Sequence, residues 1–267
     1  MKNGHIKTIF FDAADTLFYI RGGLGDTYAG VARKHGAHDP DPAKIKKAFS
    51  KAFASAPPLA FGGATEEERK GLEKDYWRAI VEEVYSEIGM FEGFDPHFDE
   101  LFEVFRSEAW ELFPESSETL GALKGAGFKL GIVSNFDSRV YDVMKGLGIY
   151  KYFDFFIISS EAGFAKPEAR IFRIALEKAG AAPYECLHIG DSLNNDFHSP
   201  RTLGIKALLL DRVDEHNSIG ERLRIKNLNE IINHIEIIKE LSSKRKFTTW
   251  EDNLGGYGKE IQSAENR

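Results

Sequence analysis

The chain has 267 residues, 42% hydrophobic and 29% charged, enough for one large domain or two modest ones around a real core. Its formal net charge of −7 argues against a nucleic-acid groove, which needs a basic stripe, and no apolar run approaches the ~20 residues that cross a bilayer. A lone cysteine, Cys186, excludes an internal disulfide framework and suits a reducing compartment. Because MKNGHIKT runs straight into the first apolar segment, no signal peptide is expected, and the expected location is cytoplasmic.

In chain order, IKTIFF at 6–11 is a short apolar run of the kind expected for a strand covered on both faces. Between it and the next such run lies an insertion of about 90 residues, far longer than an ordinary crossover. Apolar residues recur at helical spacing in DTYAGVARKHG, DPAKIKKAFSKAFAS, EEERKGLEKDYWRAIVEEVYSEIG and FDELFEVFRSEAWELF, with PPLAFGGAT at 57–65 as a flexible connection among them. Residues 20–110 therefore read as an all-helical domain inserted into another, with both hinges close to the end of the first strand. Tyr76, Trp77 and Trp110 are read as helix packing or as the roof of a pocket.

Four more strand-like runs follow: FKLGIVS at 128–134, FDFFIIS at 153–159, CLHIG at 186–190 and IKALLL at 205–210. Helical patterns separate them. VYDVMKGLG carries Val140, Val143, Met144 and Leu147 on one face and closes on Gly148. PEARIFRIALEKAG opens with Pro167 at a first-turn position and ends at Gly180. This alternation predicts an α/β fold, a doubly wound, Rossmann-like parallel sheet formed by residues 1–19 and 111–241. From 242 to 267 the chain is polar and poorly periodic, as expected for a disordered extension, with Trp250 and Tyr257 leaving a docking role open. No signal bears on oligomeric state.

Ligands of an open parallel sheet bind at the carboxyl ends of its strands. Collected there are Asp12, Asp15 and Thr16 after the first strand, Ser134 and Asn135 after the second, Lys166 after the third, and Gly190, Asp191, Ser192 and Asp196 after the fourth. Each suits phosphoryl transfer. A carboxylate can attack phosphorus and form an aspartyl-phosphate that water hydrolyses. Lys166, the Ser134 hydroxyl and backbone amides near Asn135 would hold the phosphoryl oxygens. A Mg²⁺ ion held by Asp12, Asp191 and Asp196 would offset the repulsion between anionic nucleophile and anionic phosphate.

Taken singly, these residues have ordinary roles. Asp15-Thr16 reads as a cap or turn, Ser134 as a loop hydroxyl, Lys166 as a surface lysine and Asp196 as a first-turn acid. His188 reads as a core histidine with a satisfied hydrogen bond and Cys186 as a small buried hydrophobe. Asp12 differs, because an acid directly after IFF is costly to bury without a partner or a function.

Together, D-x-x-x-T after an apolar strand, a serine ending the second strand, Lys-Pro before a helix and G-D-S-x-x-x-D resemble the four motifs of the haloacid dehalogenase-like hydrolase superfamily. The likeness spans roughly residues 6–235 and includes the helical insertion, which matches the first-type cap of subfamily I. VSNFD and EAGFAKPEARIF are similar in texture to one branch of that superfamily. The resemblance implies a Mg²⁺-dependent phosphatase acting on a small phosphorylated molecule, with Asp12 as nucleophile and metal ligand. It further implies a metal contact from the backbone carbonyl of Ala14; Arg21, Gly22, Gly23 and Tyr28, which follow the first motif closely, are expected to line the pocket from the cap.

One departure matters. The superfamily's first motif is D-x-D-x-T, and its second acid, the general acid and base, falls on Ala14. General acid catalysis is typically worth ~10²–10⁴ in rate, so such a phosphatase is expected to be slow unless its leaving group is good. Asp15, one residue further along an extended segment, would face the other way and cap the next turn or face the hinge. Three alternatives stay open. One is a non-catalytic or weakly active ligand- or partner-binding protein. Another is a dehalogenase, disfavoured by the complete acidic fourth motif. The last is a phosphonatase-type enzyme using a cap lysine such as Lys46, Lys47 or Lys51. Arg139 is expected to reach an anionic group or to face solvent.

Overall fold

The computed structural model of the chain describes residues 5–232; the tail expected at 242–267 lies outside them. In chain order the elements are β1 (Thr8–Phe11), β2 (Phe18–Ile20), α1 (Leu24–Lys34), α2 (Pro42–Ser55), α3 (Glu66–Ile88), α4 (Phe94–Val104), β3 (Trp110–Leu112), α5 (Ser116–Gly125) and β4 (Lys129–Ser134). There follow α6 (Val140–Gly146), β5 (Phe155–Ile158), α7 (Ser159–Ala162), α8 (Ala169–Ala179), β6 (Cys186–Gly190), α9 (Ser199–Arg201), β7 (Lys206–Leu210) and β8 (Arg224–Ile225).

Six strands form one sheet in the order β5-β4-β1-β6-β7-β8, every pair parallel. All four residues of β1 are buried, as a central strand covered on both faces must be. Alternation divides them. Ile9 and Phe11 join a core with Leu120 and Leu123 of α5 and Val140 and Val143 of α6. Phe10 points the other way, into a core with Ile171, Phe172 and Ala175 of α8. Helices thus lie on both faces, the doubly wound arrangement expected. Each fully buried Phe stabilises this sandwich by about 1.5–3 kcal/mol, and Phe10 meets Phe155 edge-on at 5.9 Å.

Register brings the strand ends level. Phe11 pairs with Ile132 on one side and Ile189 on the other, and the Asp12 N–H donates to the Ile189 carbonyl at 2.9 Å. Asp12 and Gly190 come one position on and Ser134 two, so all three stand close to one rim of the sheet.

The insertion forms α1–α4 around its own buried cluster, including Tyr28, Ile45, Val81, Val84, Phe98 and Leu101. Asp41 caps α2, accepting from the N–H groups of Ala43 and Lys44, and a reciprocal Thr65–Glu68 pair caps α3. Three expectations are corrected here. The helix read across 98–113 stops at Val104, and Trp110–Leu112 instead pairs antiparallel with Phe18–Ile20, so a two-stranded ribbon links the two bodies. The stretch 57–65 is not a loose connection. Leu59 is buried, the Phe61 N–H donates to the Ser160 carbonyl at 3.1 Å, and Gly62 lies against Gly163 so closely that a Cβ on Gly163 would stand 2.5 Å from the Gly62 Cα. Pro167 precedes Glu168, the N-cap of α8, and so lies outside the helix. Gly148 and Gly180 do follow their helices with positive φ.

Candidate active site

Asp12 leaves the end of β1 into a pocket of charge. It is 8% exposed, and its Oδ1 accepts from the Lys166 Nζ at 2.6 Å. The same Nζ donates to Asp196 Oδ1, also at 2.6 Å. Asp12, Asp191 and Asp196 each offer a carboxylate oxygen within 4.8 Å of the others. Ser134, buried at the end of β4, bonds the Asp12 carboxylate and helps to hold it ionised.

Local structure explains the convergence. A single π turn, Leu193–His198, follows β6 and is capped by Ser192, whose side chain accepts from the Asn195 N–H. π turns recur at functional sites because the extra residue re-aims a side chain. Here Asp196 turns inward over Gly190, and a Cβ at that glycine would stand 2.3 Å from the Asp196 carboxyl carbon. No larger residue fits there. Asp196 is then fully engaged, accepting from Lys166 and His188 at Oδ1 and from the Ser192 N–H at Oδ2. Lys166 is held through its backbone: its N–H donates to Asn135 Oδ1 at 2.7 Å, and its carbonyl accepts from Asn135 Nδ2 at 2.8 Å.

Electrostatics follow from this crowding. Burial disfavours charge on Lys166, but Asp12 and Asp196 outweigh it and hold the ammonium above its ordinary pKa. Burial also works against ionised Asp196, yet Lys166 and His188 draw it well below the carboxylate range. Asp12 is raised by burial, which the Lys166 charge only partly counters. Asp191 is pushed up to about 7 by burial and by the charges of Asp12, Asp196 and Asp15. One cation thus faces three buried or half-buried carboxylates. That excess of negative charge, on oxygen donors alone, fits a hard divalent cation such as Mg²⁺.

The other expected residues divide. Ala14 is half-buried and lines a cavity of about 640 Å³ between the strand ends and α1–α4. Gly23, Tyr28, Lys46, Trp77 and Trp110 line it too. Arg21 does not join them; it is exposed and donates to the Glu108 carbonyl at 3.1 Å, tying the ribbon ends together. Lys51 pairs with Glu87 at 2.7 Å. Arg139 neither reaches a free anion site nor faces solvent. It is buried, paired twice with Asp137, bonded to the Phe102 carbonyl and stacked 3.9 Å from the Phe102 ring centroid.

Asp15 also departs from expectation. Its φ of 60° is left-handed, so the segment is not extended and the alternation argument fails. The residue opens onto the cavity beside Ala14. Although Asp15 is exposed, desolvation at the cavity mouth and the Asp12 charge raise its carboxyl, against the pull of Arg212. Thr16 donates to Asp191 Oδ1 at 3.3 Å, joining the first and fourth motifs.

Arg212 and Glu73 have no local sequence signal, whereas His188 and Cys186 read as buried. His188 does bond, through Nε2 to Asp196 at 2.9 Å, while its Nδ1 has no partner. The proton therefore sits on Nε2. Arg212 donates to Glu115 at 2.7 Å and to the Thr16 carbonyl at 3.0 Å, bracing the first-motif loop. Glu73 of α3 is 2% exposed and accepts from the Ser138 N–H and Oγ and from Ser160 Oγ. Cys186 is buried and free, its thiol pushed up to about 12 mainly by burial.

A Rossmann-like sheet with acids and a lysine at one rim, under a helical lid, defines a class, and comparison with known proteins agrees. Residues 6–203 match the family profile of the haloacid dehalogenase-like hydrolases; the chain belongs to this family of hydrolytic enzymes. It is 30% identical to haloacid dehalogenase-like hydrolase domain-containing protein 3 of Danio rerio, over 85% of this chain and 95% of that one. It is 28% identical to the glyceraldehyde 3-phosphate phosphatase of Methanothermobacter thermautotrophicus, over 77% and 86% of the two chains. A HAD phosphatase from Thermococcus onnurineus shares the fold, with a TM-score of 0.58 at 23% identity over 85% of this chain and 97% of that one. Among the described residues no helix is long and apolar enough to cross a membrane.

Proposed function

We propose that this hydrolase is a Mg²⁺-dependent phosphatase of small phosphorylated molecules, working through an aspartyl-phosphate on Asp12. The observation that carries the reading is the clustering of the Asp12, Asp191 and Asp196 carboxylates within 4.8 Å around the Lys166 ammonium. Those three residues, with the Ala14 carbonyl, would hold the metal. When bound, Mg²⁺ would neutralise phosphoryl charge and shield the nucleophile from it.

The remaining work falls to the chain. The Asp12 carboxylate attacks phosphorus while Lys166 and Ser134 hold the equatorial oxygens and stabilise the charge gathered there. His188 and Ser192 orient Asp196, and Asn135 orients Lys166. Residues 20–110 act as a cap that excludes bulk water, and residues 1–19 with 111–241 make up the core. The relative that is a phosphatase by name supports phosphorus over carbon chemistry.

Asp12→Asn is expected to lower kcat on phosphate esters with added Mg²⁺ by at least about 10³-fold. Turnover unchanged in that variant rules out the nucleophile assignment. A second reading, a binding protein on the same fold, is favoured by Ala14, which has no proton to give. No turnover by the wild-type chain on any ester, with Mg²⁺ still bound, would establish it instead.

A further inference from the structure

The cavity that meets the strand ends at Ala14, Asp15 and Asn135 is walled mainly by aromatic rings. Phe49 and Phe53 of α2 stack at 5.6 Å with an interplanar angle of 10°, and Phe53 and Trp77 stack at 6.0 Å, also at 10°. Phe53 lines the cavity and is 45% exposed, so its ring is not consumed in the core. Phe136, two residues after Ser134, and Trp110 of the ribbon extend the wall toward the reacting end.

Several polar groups in the wall are already engaged, while Asp15 and Lys46 remain at its edges. Arg139 is held by Asp137 and the Phe102 carbonyl, and the Asn135 amide by Lys166. Ser50 Oγ donates to the Lys46 carbonyl. Trp77 Nε1 donates to Asp137 and Trp110 Nε1 to the Phe105 carbonyl. Against the Phe49–Phe53–Trp77 face, a sugar or polyol phosphate would bury hydroxyls on rings that cannot bond them, a costly exchange. A planar apolar group would bury area and stack.

We propose that the substrate is an aryl phosphate monoester, its ring held on the Phe49–Phe53–Trp77 platform and its phosphate at Asp12. The volume, about 640 Å³, lies in the range of small-molecule pockets. This inference rests on the phosphatase reading and supplies what Ala14 lacks. A phenol, with a pKa near 10 like that of tyrosine, leaves as its anion without a proton donor; an alkoxide, closer in basicity to hydroxide, does not. An Asp12 oxygen forms the bond to phosphorus as the phosphorus–oxygen bond to the ring breaks, and its electron pair departs on the phenolate. Water then attacks the aspartyl-phosphate, regenerating Asp12 and releasing inorganic phosphate, and the phenolate takes its proton from solvent.

Two assays on the full chain with Mg²⁺ separate this inference from the reading beneath it. In calorimetric titration, 2-naphthylmethylphosphonate is expected to bind at least tenfold tighter than methylphosphonate. Phe53→Leu, which keeps apolar volume at a half-exposed site, is expected to remove most of that advantage. Equal affinity for the two phosphonates, or an advantage unchanged in Phe53→Leu, overturns the aryl assignment. In turnover, 2-naphthyl phosphate is expected to exceed glycerol 3-phosphate by at least 10²-fold in kcat/KM. Acetyl phosphate consumed while 2-naphthyl phosphate is not would sink the aryl class and leave the phosphatase standing. Neither phosphate consumed while the naphthyl phosphonate still binds would sink the phosphatase and leave an aryl-anion site.

Discussion

Ala14 stands where a proton donor would assist the departing oxygen, and its side chain borders open cavity. Ala14→Asp therefore has room, and it is expected to raise kcat on glycerol 3-phosphate by about 10²-fold, within the usual worth of general acid catalysis. The gain on 2-naphthyl phosphate should be far smaller, because a phenolate needs little help. Equal gains on both would show that leaving-group protonation is not what the native chain lacks. The neighbouring residue marks a limit of sequence reading. Asp12, Ser134, Lys166, Asp191 and Asp196 were legible because each follows a strand or opens a helix in a recognisable order. The direction of Asp15 was not, since one left-handed φ reverses a side chain and leaves no trace in residue type beyond the tolerance of aspartate for that region.

Most of the longer elements declared themselves through apolar periodicity, though the ten-residue α5 went unread. The ribbon did not. Phe18–Ile20 and Trp110–Leu112 are three residues each, and each is made a strand by a partner some 90 positions away. FEVFRSEAWELF keeps a helical pattern past Val104, so local sequence alone extends α4 too far. Within the cap, His97 of α4 packs among Tyr85, Phe91 and Phe94, and neither of its ring nitrogens has a partner. Burial, aided by His35 and opposed by Glu100, lowers it to about 4. Below pH 6.5 the unfolded chain takes up a proton that the folded chain refuses until about pH 4. Stability is thus expected to fall by about 3 kcal/mol as pH drops across that window. His97→Phe should flatten that part of the urea-unfolding pH profile; an unchanged slope would assign it to other groups.

At the scale of the whole molecule, two bodies with separate apolar cores meet over one acidic rim. Folding alone gathers Asp12, Asp191 and Asp196, so a divalent cation that binds them binds the native chain and not the unfolded one. Mg²⁺ at about 100 times its dissociation constant is expected to stabilise the protein by about 2.7 kcal/mol, read as a rise in Tm that a chelator reverses. Asp191→Asn should remove most of the rise; a wild-type Tm indifferent to Mg²⁺ counts against the metal assignment. The parallel sheet and the lidded rim were legible in the sequence, while the contacts joining lid to rim were not. They pair residues far apart in the chain, such as Trp77 with Asp137 and Phe61 with Ser160.

Glu73 gives that joint its character. Its two oxygens gather donors from the turn after β4 and from the start of α7, so a single carboxylate on α3 grips both loops at once. Loosening one loop leaves the other grip intact and most of the charge still dry. Parting the lid from both loops therefore returns a dry carboxylate to water without its partners, a cost that holds lid and core together.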